Sequence, residues 1–347
     1  MSARTLRTPA ELAAASLIAA DQVAELEPVT ARYALALPPA LASLINPADP
    51  ADPIARQFLP DPRELAHQVG ELADPIGDDA HGPVEGIVHR YPDRVLLKLL
   101  ATCPVYCRFC FRRETVGQGD GTLSPAALDR ALGYIAARAE IWEVILTGGD
   151  PLALSPRRLE AVSRRLAAVA HVKILRVHTR VPVAAPERIN TALIAALKAS
   201  GKSVYVALHA NHPRELTPAA RAACGQLIDA GIPMLGQTVL LRGVNDDVGT
   251  LAALMRAFVE ARIKPYYLHH PDLAPGTGHF RLSIEDGQKL VGALLGRISG
   301  LCQPTYVLDI PGGFGKTPIG PSRLGPGEGD GIQVEDWRGI THTYQPR

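Results

Sequence analysis

From Val95 onward, short apolar runs rich in β-branched residues recur: VLLKLL at 95, WEVILT at 142, KILRVH at 173, SVYVALH at 203, PMLGQTVLL at 233 and KPYYLHH at 264. After the first gap their spacing is about thirty residues, the length of one strand-plus-helix unit. The stretches between them carry helix signals. Ser124-Pro125, Ser155-Pro156 and Thr217-Pro218 each offer a hydroxyl N-cap followed by proline at the first helical position, and Gly201 and Gly231 suit the left-handed residue just past a helix end. Alternation of this kind predicts a parallel sheet.

Six units are too few for a closed eight-stranded barrel, which leaves a curled partial barrel or an open doubly wound sheet. The polar motifs discriminate. Cys103 to Cys110, Gly148-Gly149-Asp150, His178 to Arg180, His209 to His212 and His269 to Asp272 all fall at or just after the C-terminal end of a run. Loops from every strand converge at a barrel mouth, whereas an open sheet uses mainly its switch point. The expected fold is therefore α/β, a partial (β/α)6 TIM-like barrel over residues 86–300. Residues 1–85 read as an N-terminal helical appendage, alanine-rich and then punctuated by Pro and Asp in INPADPADPIARQFLPDP. Residues 301–347 read as an irregular C-terminal segment. They hold a last strand, QPTYVLDI, then PGGFGKTPIGPSRLGPGEGDG, whose glycine and proline argue against regular structure, and a tail from Gly331 that returns as a small hairpin.

Lys plus Arg number 36 against 35 Asp plus Glu, so no net field favours nucleic acid or an anionic membrane. The N-terminal stretch is interrupted by charges and no apolar run reaches transmembrane length. The expectation is a soluble cytoplasmic protein with a small-molecule substrate.

Three of the five cysteines, Cys103, Cys107 and Cys110, lie within eight residues, in CPVYCRFC. Tight clustering of an odd total fits metal ligation better than a disulfide framework. Thiolates suit zinc or iron–sulfur clusters; a structural zinc wants a fourth ligand, and none is obvious nearby. Three thiolates on a four-iron cluster leave one iron open to an exogenous ligand. Cys224 and Cys302 read as ordinary buried thiols. Lys316 follows the glycine-rich stretch Pro311-Gly-Gly-Phe-Gly. A lone lysine is ordinarily solvated surface, but this setting could hold an amine against a planar cofactor, as in Schiff-base attachment of pyridoxal phosphate. A phosphate loop is the competing reading, and GGFGKT lacks its four-residue gap and a following helix.

CxxxCxxC with Phe109 before the last cysteine resembles the signature of the radical S-adenosylmethionine (SAM) superfamily. There the open iron is chelated by the methionyl group of SAM, and one electron from the cluster releases a 5′-deoxyadenosyl radical. Thr147-Gly148-Gly149-Asp150 resembles the turn that meets the methionyl amine. HRYPDRVLL, CPVYCRFCFRR, LTGGDPL, GQTVLLRGVND and VLDIPGGFGKTP, in order over about residues 36 to 344, resemble the lysine 2,3-aminomutase family. That resemblance implies a [4Fe-4S] cluster on Cys103, Cys107 and Cys110, SAM at Gly148, Gly149 and Asp150, and pyridoxal phosphate on Lys316. It also implies cofactor contacts from Arg90, Tyr91, Arg94 and Gln237, a grip on the substrate α-carboxylate by Arg112, and Asp272 and Asp309 around the ε-ammonium. The reaction implied is isomerisation of L-α-lysine to β-lysine, with an electron donor of flavodoxin or ferredoxin type.

Long family members carry a zinc site with a cysteine just after GVND and several more in a C-terminal extension. Here Asp247 follows GVND and Arg347 is the last residue given, so no zinc is expected and a homo-oligomeric assembly stays open. The length is similar to that of family members that make β-lysine for elongation factor P, while the Asp272 and Asp309 pair looks more like the free-lysine enzymes. A glutamate substrate would be repelled by two facing acids. A radical enzyme without pyridoxal phosphate, or a metal-stabilised scaffold, are the readings from other classes.

Overall fold

The computed structural model describes residues 4–118, 121–327 and 331–345. The helix signals work as expected: Ser124, Ser155 and Thr217 accept hydrogen bonds from the N–H groups of Ala127, Arg158 and Ala220, each with proline at the helix start. Gly201 (φ +62°) and Gly231 (φ +83°) adopt the left-handed conformation just beyond helices Thr191–Lys198 and Pro218–Asp229.

The six apolar runs become strands β2 (Arg94–Leu100), β3 (Glu143–Gly148), β4 (Ile174–Thr179), β5 (Ser203–His209), β6 (Met234–Val239) and β7 (Ile263–His269), and the late run becomes β8 (Thr305–Ile310). Neighbours from β2 to β8 pair in parallel. β1 (Ile87–Tyr91) adds antiparallel to β2, and β9 (Gly315–Pro318) antiparallel to β8. Strand order follows chain order throughout, with no reversal, which excludes the doubly wound sheet. The sheet is a partial barrel.

Alternate residues face opposite sides. Val95 and Leu97, Val144 and Leu146, Leu175 and Val177, and Val206 and Leu208 are buried in one core with Leu132, Leu159, Leu193, Leu227 and Leu251 of the surrounding helices. The other face carries Arg94, Glu143, Thr147, Arg176, His178, His209, Gln237, His269 and Asp309, and it lines a cavity of about 600 Å³ instead of a filled interior.

The N-terminal appendage consists of short helices, among them Val23–Arg32 and Pro53–Phe58. Its core of Leu12, Leu37, Leu41, Ile54 and Phe58 includes Val105, from between the first two clustered cysteines. Glu64, fully buried, pairs with Arg108 (2.6 Å) and Arg113, which flank the last of those cysteines and are themselves buried.

Part of the glycine-rich C-terminal stretch is regular, contrary to expectation. Gly312, Gly313 and Gly315 take φ near +90°, which builds a tight turn into β9 and sets Asp309 opposite Lys316. Glycine here permits the hairpin rather than dissolving it. Beyond it, β10 (Leu324–Pro326), β11 (Ile332–Glu335) and β12 (Thr341–Tyr344) form a three-stranded antiparallel sheet. The hairpin expected after Gly331 is β11–β12; the expected hairpin's last two residues, 346 and 347, and residues 328–330 of the preceding stretch lie outside the described residues.

Replacing Glu64 with alanine leaves two buried guanidinium groups without their carboxylate. Urea unfolding of Glu64→Ala should show a loss of about 3–5 kcal/mol; a loss below about 1 kcal/mol would mean that the appendage does not anchor the cysteine loop.

Candidate active site

The loop that leaves β2 is strapped from outside. Tyr106 N–H donates to Ala36 O, Arg108 N–H to Gln57 O, and the Arg108 guanidinium to Glu64 and Ala34 O. Cys103, Cys107 and Cys110 then face the cavity, each partly exposed to it. Burial raises all three thiol pKa values: Cys107 to about 12, relieved in part by Arg180, Cys103 well above its ordinary value, and Cys110 upward too. Thiols so placed ionise when a metal centre displaces their protons.

Among the described residues no three His, Cys, Asp or Glu side chains come together as ligands of one metal ion. Three thiols around a shared cavity suit a larger iron–sulfur cluster, whose irons each take their own thiolate. Cys224 and Cys302 are buried in the hydrophobic core, as expected.

The turn after β3 lies against the residues that precede Cys103. Gly149 N–H donates to Leu100 O, and Asp150 N–H to Thr102 O (2.9 Å). A side chain at Gly149 would collide with the Thr102 backbone, and Gly148 has φ +107°. The Asp150 carboxylate accepts from Leu152 N–H, Thr179 Oγ1 and Arg180 N–H, so it ties this turn to the end of β4. Its pKa is raised, chiefly by burial.

Across the cavity, Lys316 Nζ lies 2.6 Å from Asp309 Oδ1, and its backbone N–H donates to Tyr91 Oη (2.6 Å). Arg94 stacks on the Tyr91 ring, 3.8 Å from its centroid. His269 Nδ1 is 3.4 Å from Asp309 Oδ2, and Gln237 Nε2 approaches His269 Nε2 at 3.3 Å. Burial works to raise the Asp309 pKa, but the His269 hydrogen bond and the Lys316 ammonium outweigh it and hold that carboxyl well below the usual range. Asp272 moves the other way, to about 7, through burial and then the Asp309 charge. Arg112 donates from Nε and Nη2 to Asp78 Oδ2 and from Nη1 to Thr147 Oγ1.

The residues to which the resemblance gives a cofactor or substrate role all line this one cavity: Arg90, Tyr91, Arg94, Arg112, Gly148, Gly149, Asp150, Gln237, Asp272, Asp309, Lys316 and the three cysteines. Of the polar strand-end clusters, His178, Arg180, His209 and His269 join them. His212 caps its own turn and His270 bonds Tyr306 Oη, both outside the cavity lining. Burial and neighbouring cations lower the pKa of His178, of His209 (to about 3) and of His269, so these rings are neutral near pH 7. Asp78 carried no signal in the sequence beyond its Pro- and Asp-rich surroundings.

Among the described residues, buried polar atoms of the lining without a hydrogen-bond partner or ion-pair contact include Arg90 Nε, His178 Nε2, Arg180 Nη2 and Gln237 Oε1. Buried polar atoms are almost always satisfied, so these mark places for polar ligand atoms. Three thiols, a lysine amine and unsatisfied cationic and amide groups around one volume fit an iron–sulfur cluster, SAM and a phosphate-bearing aldehyde.

A partial barrel with three thiols at its mouth places the chain in a class, and the Radical SAM superfamily model matches residues 97–255. Within that class the chain belongs to the lysine 2,3-aminomutase family. It is 40% identical to the L-lysine 2,3-aminomutase of Clostridium subterminale over 310 residues, 89% of this chain and 74% of that one. It is 34% identical to the Bacillus subtilis L-lysine 2,3-aminomutase over 98% of this chain and 72% of the relative. The glutamate 2,3-aminomutase of Clostridioides difficile is 36% identical, over 90% and 74%. Membership implies an enzyme that uses a [4Fe-4S] cluster and SAM. No helix among the described residues is long and apolar enough to cross a membrane.

Gly149→Ala forces the turn away from Thr102. It should destabilise the protein by about 1–3 kcal/mol and lower the iron retained on anaerobic reconstitution. Iron content and urea midpoint equal to wild type would show that the close approach is dispensable.

Proposed function

We propose that this protein is an L-lysine 2,3-aminomutase that interconverts L-α-lysine and β-lysine with pyridoxal phosphate held on Lys316. The observation that supports this most strongly is the sharing of one cavity by the three thiols, the Lys316 amine and the Asp272 and Asp309 carboxylates. When bound, the cluster, SAM and pyridoxal phosphate supply an electron, a carbon-centred radical that takes a hydrogen atom, and an electron-delocalising carbonyl for the migrating nitrogen.

The chain's own residues do the rest. Arg112 has donors left over after Asp78 and Thr147, and a guanidinium edge matches a carboxylate. Asp272 and Asp309 supply the negative end that suits an ε-ammonium. Clamps at both ends of the substrate fix which carbon faces the radical, and a displacement of about 1 Å would cost on the order of a hundredfold in rate. Tyr91, which accepts from the Lys316 N–H, Arg94 stacked on its ring, and Arg90 of the same lining would serve as a phosphate and ring site, and Gln237 Oε1 offers an unused acceptor. Phe109 and Phe280 meet edge-on at 6.1 Å and pack with Val239 and Leu241 beside the thiols, which keeps water from a reactive carbon.

The glutamate 2,3-aminomutase relative makes glutamate the competing substrate. Two carboxylates where the distal substrate group would lie disfavour it. Supply of β-lysine to elongation factor P uses the same isomerisation and the same residues.

Anaerobic turnover of L-lysine with reductant, SAM and pyridoxal phosphate should yield β-lysine, and L-glutamate should give no β-isomer; the reverse preference would overturn the reading. Borohydride should fix a pyridoxyl group on Lys316, and its absence there would favour a radical enzyme that works without pyridoxal phosphate. Asp272 is protonated below its pKa of about 7 and then offers no charge to an ammonium. The KM for lysine should therefore fall as pH rises through about 7, and Asp272→Asn should flatten that dependence. A KM that rises over the same range would contradict the assignment.

A further inference from the structure

Asp78 belongs to none of the motifs, yet its carboxylate is the hub of the cavity's cationic wall. Only 5% exposed, it accepts from Arg112 Nε (3.0 Å) and Nη2 (2.8 Å) through Oδ2 and from Arg90 Nη2 (3.2 Å) through Oδ1. Arg90 also donates to Ile76 O. Of the five N–H donors of Arg112, two go to Asp78 and one to Thr147. The Nε edge is thus occupied, and the donors left belong to Nη1 and Nη2.

The loop that presents Asp78 is held at several points. Asp74 accepts from the N–H groups of Asp78 (2.9 Å) and Asp79 (2.8 Å). Gly77, at φ +67°, lies so close to Gly313 that any side chain would strike its backbone, and His81 Nε2 sits 2.9 Å from Gly313 O. The same loop therefore touches the turn that carries Lys316 and, through Asp78, the arginine across from it.

We propose that Asp78 is a positioning residue for recognition of the substrate α-carboxylate: it fills the Nε edge of Arg112 and turns the remaining Nη edge toward the substrate, at a place set relative to Lys316 by the Asp74–His81 loop. A bidentate carboxylate needs a guanidinium held in one plane, and an arginine beside a second cation and without its own carboxylate is free to swing away. The inference rests on the reading of Arg112 as the carboxylate-binding arginine.

The test is calorimetric titration of reconstituted holoenzyme, saturated with pyridoxal phosphate as followed by absorbance and kept free of reductant so that nothing turns over. L-lysine and L-lysinamide, which lacks the carboxylate charge, are compared. Wild type should bind lysine more tightly than lysinamide. Asp78→Asn keeps the shape but gives one of the two arginines an amide N–H to face, so lysine affinity should drop at least about tenfold and lysinamide affinity less than about twofold. Equal losses for both ligands, or no loss, would overturn the role of Asp78 while leaving Arg112 in place. A wild type that does not distinguish the two ligands would instead remove the reading of Arg112. If Asp78→Asn does not fold, Asp78→Glu carries the test: it keeps the charge one methylene out of position and should show a smaller loss confined to lysine, and a loss shared by both ligands would count against the proposal.

Discussion

The organising constraint is the inward face of the sheet. Seven parallel strands in chain order bury their outward residues under helices. Their inward residues include Arg94, Glu143, Arg176, His178, His209, Gln237, His269 and Asp309. Such side chains cannot fill a barrel the way stacked valines and leucines do, because each buried charge needs a partner and each amide a hydrogen bond. Some are matched internally, as in the Arg176–Glu143 pair at 2.9 Å. The others remain turned toward an open volume. The sheet also stops short of closure: β1 and β9 each cap an edge antiparallel, which blunts the unpaired strand edges and leaves room for a large ligand.

A cavity of this kind must be held open at its rim, and buried ion pairs do this work. Glu64 binds Arg108 and Arg113 on either side of Cys110. Arg180, beside Cys107, is paired with the fully buried Glu215, which also accepts from Gln57 of the appendage and from the Asn211 N–H. Among its described residues the appendage lends Ile76 to the cavity lining, and through Glu64 and Gln57 it fastens the loop that carries the thiols. Replacing such pairs with apolar residues would often stabilise a protein. Here they fix the loop in one geometry around three thiols that burial keeps protonated in the absence of metal.

How much of this was readable in the sequence follows from how local each signal is. Strand periodicity, proline after a hydroxyl cap and glycine after a helix are local, and Ser124, Ser155, Thr217, Gly201 and Gly231 all behave as read. The cysteine spacing and the GGD turn are local too. The regular part of the glycine-rich C-terminal stretch is not legible locally, because left-handed glycines can build a hairpin as readily as they dissolve one, and only the pairing with β8 decides. Asp78 and Glu64 were illegible for a different reason. Each acts across a long sequence separation, on Arg112 and on Arg108, and a carboxylate in a Pro- and Asp-rich stretch looks like any turn residue.

The two acids of the cavity, Asp272 and Asp309, show how one site gives like side chains different states. Asp309 sits between the Lys316 ammonium and His269 and stays ionised, whereas burial, and after it the Asp309 charge, outweighs the pull of Lys316 and Arg112 on Asp272 and pushes it up to about 7. Were both fully ionised at every pH, the empty cavity would hold two repelling charges in a poorly solvated place. A proton on Asp272 relieves that repulsion, and an arriving ammonium replaces the proton. The pair is therefore a receptor for a cation, and it favours ligands that bring positive charge over those that bring none. Selection by charge needs no snug fit to the aliphatic chain. It does need the opposite end of the ligand to be held at a fixed distance, and this returns the burden to Arg112 and to whatever keeps that guanidinium in place.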